Sequence, residues 1–332
     1  MTDKILLAAI DDGYAQTKLY GEDEDGNPIK YRMRSSVRPG RYGLGAISGT
    51  GSVGLYDTEE GPFTVSEDVE AENTQFDGFH LSAMNRVLVN HALVGAGYGG
   101  KEVDIIAGLP VADFFLQGFK DEEKVSAKQE NLRRPVTLTS GDEKVARIRS
   151  VEIGCQAVAA WVDYALDDDL NERVDIDGAV AIVDIGGRTT DVATVINGQS
   201  VDHARSGTAN IGVLDVYKAV EAAIGSKFKI RDRFPLNAID AAVRTRKIRL
   251  WGKDNDVADV VDEVLREHES KIAREVERRI GKGAAMTAVV FVGGGSALFN
   301  SISANFPNGV MLEDPEFANA RGLFKYHRYR AK

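Results

Sequence analysis

Two stretches of similar design, residues 4–18 and residues 179–191, constrain the fold of this chain more than any other feature. Each begins with an apolar run, passes through an acidic residue and glycine, and then enters a second strand-like run. This order predicts a buried hairpin with a polar tip. Because repetition of a supersecondary unit usually reflects repetition of a fold, the pair predicts two related halves that face one ligand.

The second tip has the chemistry of a site for metal and phosphate. Asp184 ends the apolar run, and Gly186 and Gly187 follow it. Glycine has no side chain, so its backbone N–H group can approach an anion closely. A carboxylate beside such glycines is suited to hold metal and phosphate together, which outlines a nucleotide site.

Composition limits the class of protein. A chain of 332 residues accommodates two domains of about 100–200 residues each. Its 43% of hydrophobic residues and 28% of charged residues favour an ordinary folded protein over a disordered or fibrous one. The 41 basic and 51 acidic residues give a formal net charge of −10, which disfavours direct binding to nucleic acid.

The sequence favours a cytoplasmic protein without a membrane partner. The first apolar run is too short for a signal peptide because Asp11 and Asp12 interrupt it. No apolar run approaches the roughly 20 residues that a membrane helix requires. The single Cys155 cannot form an intramolecular disulfide, and its apolar surroundings favour a buried small side chain over a reactive thiol.

The order of predicted strands and helices favours an α/β fold. A helical stripe at residues 81–96 leads through glycines into a strand at residues 103–110, which together form an α/β unit. The other predicted helices lie at residues 153–166, 213–224, 237–249, 256–280 and 316–326. The other predicted strands include a pair at residues 136–139 and 145–151, and the run at residues 288–292.

Two glycine-rich segments are predicted as loops. Residues 35–54 have the composition of a surface loop, which could alternatively serve as a contact surface for a partner or another copy. Residues 206–212 open a helix and present backbone donors that suit phosphate or ribose, although the same composition also caps helices without a ligand.

Three strand-to-glycine tips, at residues 11–13, 184–191 and 291–297, resemble the phosphate-1, phosphate-2 and adenosine motifs of the actin-like ATPase superfamily. Within it, the chain resembles the plasmid-segregation actins of the ParM/StbA family, through residues 91–110 and 314–322. A single glycine motif is weak, but three in order are specific, and the resemblance spans nearly the whole chain. It implies an actin-like, ribonuclease H-like α/β fold of two domains with an interdomain nucleotide cleft.

The resemblance also implies domain boundaries and ligands. Domain I would comprise residues 1–165, with residues 316–332 packing back on it, and domain II would comprise residues 166–315. ATP and Mg²⁺ would lie at the base of the cleft. Asp11 and Asp184 would hold the metal ion, and Asp184 and Gln156 would act as catalytic residues that orient the attacking water.

The nucleotide would contact residues of all three tips and of the loop at residues 207–212. The residues implied are Asp12, Gly13, Tyr14, Lys18, Gly186, Gly187, Arg188, Thr189, Gly207, Asn210, Gly212, Gly293, Gly294, Gly295 and Ser296. Lys18 would reach the β- and γ-phosphates. Simpler roles remain open for some residues: Asp12 could be only a turn residue, and Glu152 could face the cleft in place of Gln156.

Two residues depart from the family pattern. Tyr14 occupies a position where the family commonly has a small hydroxyl residue that touches the γ-phosphate, and Arg188 stands where a small residue is common. Either could alter nucleotide preference or the hydrolysis rate. Arg188 could instead supply charge to the phosphates.

The resemblance implies an ATP-dependent, filament-forming protein whose hydrolysis controls filament turnover. It would drive plasmid DNA segregation by binding other copies of itself and a DNA-binding adaptor of the ParR type, without touching DNA. The alternatives are a small-molecule kinase of the same superfold, a bacterial cytoskeletal actin without a role in segregation, and a scaffold without catalysis.

Overall fold

The computed structural model describes residues 5–43, 53–67, 71–174 and 177–330. The strands before residue 156 are β1 (Leu6–Asp12), β2 (Gln16–Glu22), β3 (Pro28–Arg34), β4 (Val37–Pro39), β5 (Gly54–Thr58), β6 (Gly61–Val65), β7 (Glu102–Leu109), β8 (Phe115–Leu116), β9 (Phe119–Lys120), β10 (Thr137–Leu138) and β11 (Arg147–Cys155). The helices up to residue 165 are α1 (Ala83–Leu93), α2 (Val111–Phe114), α3 (Glu122–Arg133) and α4 (Gln156–Ala165).

The rest of the chain repeats the mixture of strands and helices. Its strands are β12 (Ala179–Ile185), β13 (Thr190–Ile196), β14 (Ser200–Val201), β15 (Gly207–Ala209), β16 (Lys247–Leu250), β17 (Lys253–Asp256), β18 (Ala288–Val292) and β19 (Gly309–Met311). Its helices are α5 (Val213–Phe228), α6 (Leu236–Thr245), α7 (Ala258–Ile280), α8 (Asn300–Ser303) and α9 (Ala318–Arg330). Short 3-10 turns lie at Phe79–Leu81, His203–Arg205 and Pro315–Phe317, and one π-helical turn lies at Val94–Tyr98.

Two main sheets share one arrangement. In the N-terminal sheet the strand order is β11-β7-β1-β2-β3, and in the C-terminal sheet it is β14-β13-β12-β18-β19, with β15 also paired to β13. In each, an antiparallel hairpin (β1–β2 or β12–β13) lies beside a parallel strand (β7 or β18). The repeated hairpins predicted from the sequence are therefore the centres of two matching sheets.

Apolar residues on both faces of the central strands explain why the sheets are covered on both sides. Every residue of β12 and of β18 is buried, as expected for strands beside parallel neighbours. One face of the N-terminal sheet packs on α1 and the other on α4 and α9. One face of the C-terminal sheet also packs on α4, and its other face packs on α5 and α7.

Helix α4 lies between the two sheets and is held by α9. A side chain at Gly322 of α9 would overlap the carbonyl oxygen of Ala159, so the two helices approach with no room for a Cβ atom. Asp163 of α4 is fully buried and forms ion pairs with Arg321 (2.6 Å) and Lys325 (3.0 Å) of α9. The predicted domain boundary after residue 165 stays a prediction.

Several predicted elements need correction. Ile153 lies in β11, and α4 begins only at Gln156, because apolar residues at these positions fit a strand beside β7 as well as a helix. Residues 136–139 and 145–151 do not pair with each other, since β10 pairs with β5 and β11 pairs with β7. The helix predicted at residues 237–249 ends at Thr245, where β16 follows.

The glycine-rich segments also contain regular structure. Within residues 35–54, β4 pairs with β6 and Gly54 begins β5, whereas residues 44–52 lie outside the described residues. The segment predicted as a loop at residues 206–212 contains β15, which pairs with β13.

We expect Gly322→Ala to lower the free energy of unfolding by about 1–3 kcal/mol, because the added methyl group overpacks the α4–α9 contact. The higher helix propensity of alanine opposes this loss only in part. Chemical denaturation followed by circular dichroism measures the change. Tyr329→Ala on the same helix, where the side chain is 58% exposed, is the control and should be nearly neutral. A neutral Gly322→Ala variant would contradict the close packing.

Candidate functional site

The tips of the two central hairpins face each other across a cleft between the sheets. Its walls come from both halves of the chain and from α9. The predicted site residues that line it are Asp11, Gly13, Tyr14, Lys18, Gln156, Asp184, Gly186, Gly187, Thr189, Gly294 and Gly295. Lining residues that sequence reasoning did not assign to the site include Arg34, His80, Asp191, Tyr217, Arg244 and Asn319.

The two tips approach closely enough to require glycine. A Cβ atom built at Gly187 would lie 2.5 Å from the Cβ atom of Ala15 in the first tip. The second tip is held by α5, because Val213 and Leu214 donate their N–H groups to the carbonyls of Gly186 (3.1 Å) and Gly187 (2.9 Å). The N-terminus of α5 therefore fixes the turn that forms one wall of the cleft.

Asp11 is the centre of a buried polar group in the N-terminal half. Its side chain accepts a hydrogen bond from Lys18 Nζ at 3.0 Å and another from Gln156 Nε2 at 3.0 Å. Although burial would lower the pKa of Lys18, the negative charges of Asp11 and Asp184 raise it. Lys18 therefore stays cationic at the base of the cleft.

Asp184 faces Asp11 from the C-terminal half. Burial, together with the negative charge of Asp11, raises the pKa of Asp184 to about 7, although a hydrogen bond from Asn319 Nδ2 at 2.8 Å opposes the shift. Asn319 is the second residue of α9, so the last helix of the described chain contributes to the site. Its contact could not be read from local sequence, because it joins residues 135 positions apart.

Asp191 is a third buried acid in the cleft. It is opposite Asp184 in the register of β12 and β13. It accepts hydrogen bonds from the hydroxyl groups of Thr189 (2.9 Å) and Thr208. Burial raises its pKa to about 6, and these hydrogen bonds oppose the shift.

The acidic residues suit Mg²⁺ held jointly by protein and nucleotide. Carboxylate oxygens are its preferred protein ligands, and it commonly takes one or two carboxylates together with phosphate oxygens. Within the described residues, no group of three or more His, Cys, Asp or Glu side chains could hold a metal ion by itself. Asp11 and Asp184 would hold such an ion together with the phosphates, and its charge would offset the burial and the repulsion that raise the pKa of Asp184.

A second polar group bridges the two halves at another part of the cleft. Arg34 of β3 forms an ion pair with Asp240 of α6 at 2.6 Å, and Asp240 also accepts hydrogen bonds from Tyr217 and from Arg244 Nε (3.0 Å). Burial would raise the pKa of Asp240, but these hydrogen bonds and charges lower it. Local sequence does not indicate this group, because Arg34 and Asp240 lie 206 positions apart.

The structure does not bring the side chain of Asp12 into the cleft. Successive residues of a strand point to opposite sides, so Asp12 points away from the side that Asp11 occupies. Its carboxylate is fully buried and lies 2.6 Å from Lys128 Nζ of α3. The assignment of this side chain to nucleotide binding is therefore corrected to a structural ion pair.

The predicted loop residues beside α5 also lie outside the cleft lining. Gly207 of β15 pairs with Val192 of β13, and Asn210 is exposed. Gly212 packs against the backbone of Gly187 and Arg188, where a Cβ atom would overlap. Gly212 therefore supports the second tip from behind, whereas Gly207 belongs to the strand that β15 adds beside β13.

Gly293 and Ser296 support the third tip from behind. Gly293 has a positive φ of 90°, and a Cβ atom there would overlap a carboxylate oxygen of Asp184. Ser296 is fully buried, and its hydroxyl donates to the carbonyl of Gly293 at 2.7 Å. Only Gly294 and Gly295 of this tip line the cleft.

The two departures from the family pattern meet across the cleft. The guanidinium carbon of Arg188 lies 5.1 Å from the centre of the Tyr14 ring, and Arg188 Nη2 lies 2.6 Å from Asp77 Oδ1. Burial raises the pKa of Tyr14 to about 12, although Arg188 opposes the shift. Tyr14 therefore stays neutral and provides an aromatic face for the cation.

Two protein families match the chain. Residues 6–165 match the family described as plasmid segregation protein ParM, N-terminal, and residues 182–303 match the family described as archaeal actin homologue MreB-like, C-terminal. An archaeal actin homolog from Thermoplasma acidophilum is 27% identical over 342 residues, which cover 96% of this chain and 97% of that protein.

Solved structures agree in fold over almost the whole chain. Ta0583, an archaeal actin homolog crystallised in complex with ADP, is 22% identical and has a TM-score of 0.76, covering 98% of this chain and 100% of its own. A 15-stranded ParM filament from Clostridium botulinum is 16% identical and has a TM-score of 0.76, covering 98% and 99%. The chain has the actin-like fold of these proteins.

The resemblance to actin-like proteins of the ParM/StbA type and the actin-like α/β fold are confirmed by these matches. The C-terminal half of this actin-like protein also matches an archaeal family, which its motifs did not predict. None of the helices in the described part of the chain has the length and apolar character needed to span a membrane.

We expect Asp184→Asn to stabilise the nucleotide-free actin-like protein at pH 8 and to have a smaller effect at pH 5. The pKa of Asp184 is higher in the folded protein than in the unfolded chain. Protonation of Asp184 therefore favours folding, and this stabilisation is fully present at pH values below its pKa in the unfolded chain. This stability is lost as pH rises through about 7. The gain at pH 8 corresponds to about 1.4 kcal/mol for each unit of pKa difference. Thermal unfolding at the two pH values, without Mg²⁺, measures it.

Asp240→Asn is the matched control with the opposite sign. The pKa of Asp240 is lowered, so its carboxylate contributes stability above the unfolded value that is lost as pH falls through the folded value. Asp240→Asn should therefore be destabilising at pH 8. An Asp184→Asn variant that is less stable than the wild type at both pH values would show that the buried charge of Asp184 does not destabilise the folded protein.

Proposed function

We propose that this protein binds ATP with Mg²⁺ in the cleft, hydrolyses it and assembles into filaments whose lifetime depends on hydrolysis. The observation that supports this most strongly is the pair of buried carboxylates, Asp11 and Asp184, at the tips of two matching hairpins. The ADP complex of Ta0583 and the ParM filament are consistent with it, because both proteins share the fold over almost the whole chain.

The residues of the cleft suit hydrolysis by positioning and electrostatics. Bound Mg²⁺ would supply positive charge to the phosphates. The Gln156 amide is oriented by its hydrogen bond to Asp11, and its carbonyl oxygen is the atom that it can offer to a water molecule. Asp184, whose carboxylate faces Asp11 from the other half of the chain, would orient that water and accept its proton.

The glycine turns and Lys18 would hold the phosphates. Lys18 has its ammonium group beside Asp11 at the base of the cleft, where it would contact phosphate oxygens. The backbone of Gly13 lines the cleft from the first tip, and the backbone of Gly186 and Gly187 lines it from the second. Because these groups belong to both halves, bound ATP would favour the closed cleft and the subunit contacts that depend on it.

As the cellular role, we propose plasmid DNA segregation in the cytoplasm through a DNA-binding adaptor of the ParR type. The match of residues 6–165 to ParM supports it, and the net charge of −10 fits a protein that does not bind DNA directly. A cytoskeletal actin without a role in segregation is the second candidate. The archaeal family match at residues 182–303 and the archaeal actin homologs favour this candidate.

Sedimentation of the pure protein tests filament formation. We expect polymer with Mg-ATP and little with Mg-ADP or with ATP and a chelator. Asp184→Asn should retain nucleotide binding, release phosphate about tenfold or more slowly, and give longer-lived polymer. Wild-type protein that binds no nucleotide, or that forms no polymer at any workable concentration, would contradict the proposal.

Stabilisation of a test plasmid by the gene, with and without its neighbouring genes, separates the two cellular roles.

We expect Arg188→Ala to increase the dissociation rate of bound nucleotide by about three- to tenfold, because the Arg188–Tyr14 contact joins the two tips that enclose it. Displacement of a fluorescent ADP derivative measures the rate. Arg205→Ala is the control, since Arg205 pairs with Asp202 within the same half. Tyr14→Leu should have a similar effect, and the double variant should add little more. Additive effects would indicate that the two side chains act independently.

A further inference from the structure

His80 is a buried histidine of the cleft that the proposed chemistry does not yet use. It lies in the 3-10 turn before α1, lines the cleft and is 3% exposed. Its ring contacts the ring of Tyr14 in the first tip, edge to face, with 4.8 Å between centroids. Burial and the positive charge of Lys128 lower its pKa, so the imidazole is neutral.

Lys128 determines which nitrogen of His80 carries the proton. Its ammonium group lies 2.6 Å from Asp12 Oδ2, 2.7 Å from the carbonyl oxygen of Gly108 and 3.5 Å from His80 Nδ1. An ammonium group has three hydrogens and no acceptor. Each hydrogen has one of these partners. Because Asp12 Oδ2 lies 3.8 Å from Nδ1, beyond hydrogen-bond distance, Nδ1 accepts from Lys128 and bears no proton.

The proton of the neutral ring is therefore on Nε2. A neutral imidazole has one donor and one acceptor nitrogen, and the bond made by one nitrogen sets the role of the other. Within the part of the chain that the structure describes, Nε2 is buried and has no hydrogen-bond partner. A buried donor without a partner is unfavourable, which makes it a candidate contact for a ligand.

The position of His80 indicates which part of a nucleotide it would meet. Through Lys128 it adjoins Asp12 and Gly108, near the ends of β1 and β7. Gln156, which bonds Asp11, packs directly on Gly108. His80 therefore lies at the end of the cleft that contains Asp11 and Gln156. The Arg34–Asp240 pair and Tyr217 form a separate polar group.

We propose that the Nε2–H group of His80 donates a hydrogen bond to the terminal phosphate of a bound nucleoside triphosphate. This inference rests on the proposed nucleotide binding in the cleft and adds a contact that a diphosphate cannot make. Through Lys128 on α3 and the turn that leads into α1, the contact connects the terminal phosphate to the helices of the N-terminal half.

The test compares affinities for a non-hydrolysable ATP analogue and for ADP, both with Mg²⁺, by calorimetry. His80→Phe removes the donor and keeps an aromatic ring, so binding of the analogue should weaken about tenfold or more while binding of ADP changes less than about twofold. His80→Gln places an amide N–H near the position of Nε2 and should restore most of the loss. His91→Gln is the control, because His91 bonds Tyr56 away from the cleft and should leave both affinities unchanged.

The outcomes separate this inference from the proposed function. If the wild type binds neither nucleotide, both are overturned. If the wild type binds and His80→Phe weakens both nucleotides equally, or neither, the role of His80 is overturned and nucleotide binding stands. Should His80→Phe fail to fold, ¹⁵N NMR of the wild-type histidine side chains decides. The Nε2–H signal of His80, assigned from the His80→Gln spectrum, should shift with the analogue and stay with ADP.

Discussion

The burial of Asp11 and Asp184 at facing hairpin tips is the constraint on which the rest of the site depends. Two carboxylates of like charge in a water-poor cleft are unstable unless other groups compensate them. Lys18 on β2, Gln156 on α4 and Asn319 on α9 supply this compensation. Because they come from distant parts of the chain, the two acids need the complete packing of both sheets on α4.

Local sequence was sufficient to predict the hairpins and the acids at their tips. The apolar run of β12 and that of β18 leave little choice except a buried strand, and Gly187 marks the place where the tips touch. The same reasoning was less reliable where a residue could face either side of a strand. Asp12 follows Asp11 directly. Because successive side chains of β1 point to opposite sides, Asp11 faces the cleft and Asp12 forms an ion pair with Lys128.

Residues whose role depends on long-range contacts could not be predicted. Arg34 and Asp240 belong to different halves, and nothing in either local sequence indicates the other. Tyr14 and Arg188 were identified only as separate departures from a family pattern, yet they contact each other across the cleft. An interpretation of each residue alone would have missed that the aromatic face of one receives the charge of the other.

The α9 contacts have a consequence for the order in which the site is made. During synthesis Asp11, Gln156 and Asp184 leave the ribosome well before Asn319. The amide partner of Asp184 is added to the chain 135 residues after Asp184 itself. Until α9 docks on α4, with Gly322 against Ala159, the cleft has its acids but not the helix that holds one of them. The nascent chain can therefore pair the strands of its N-terminal sheet, which all precede residue 156, before α9 supplies the partner of Asp184.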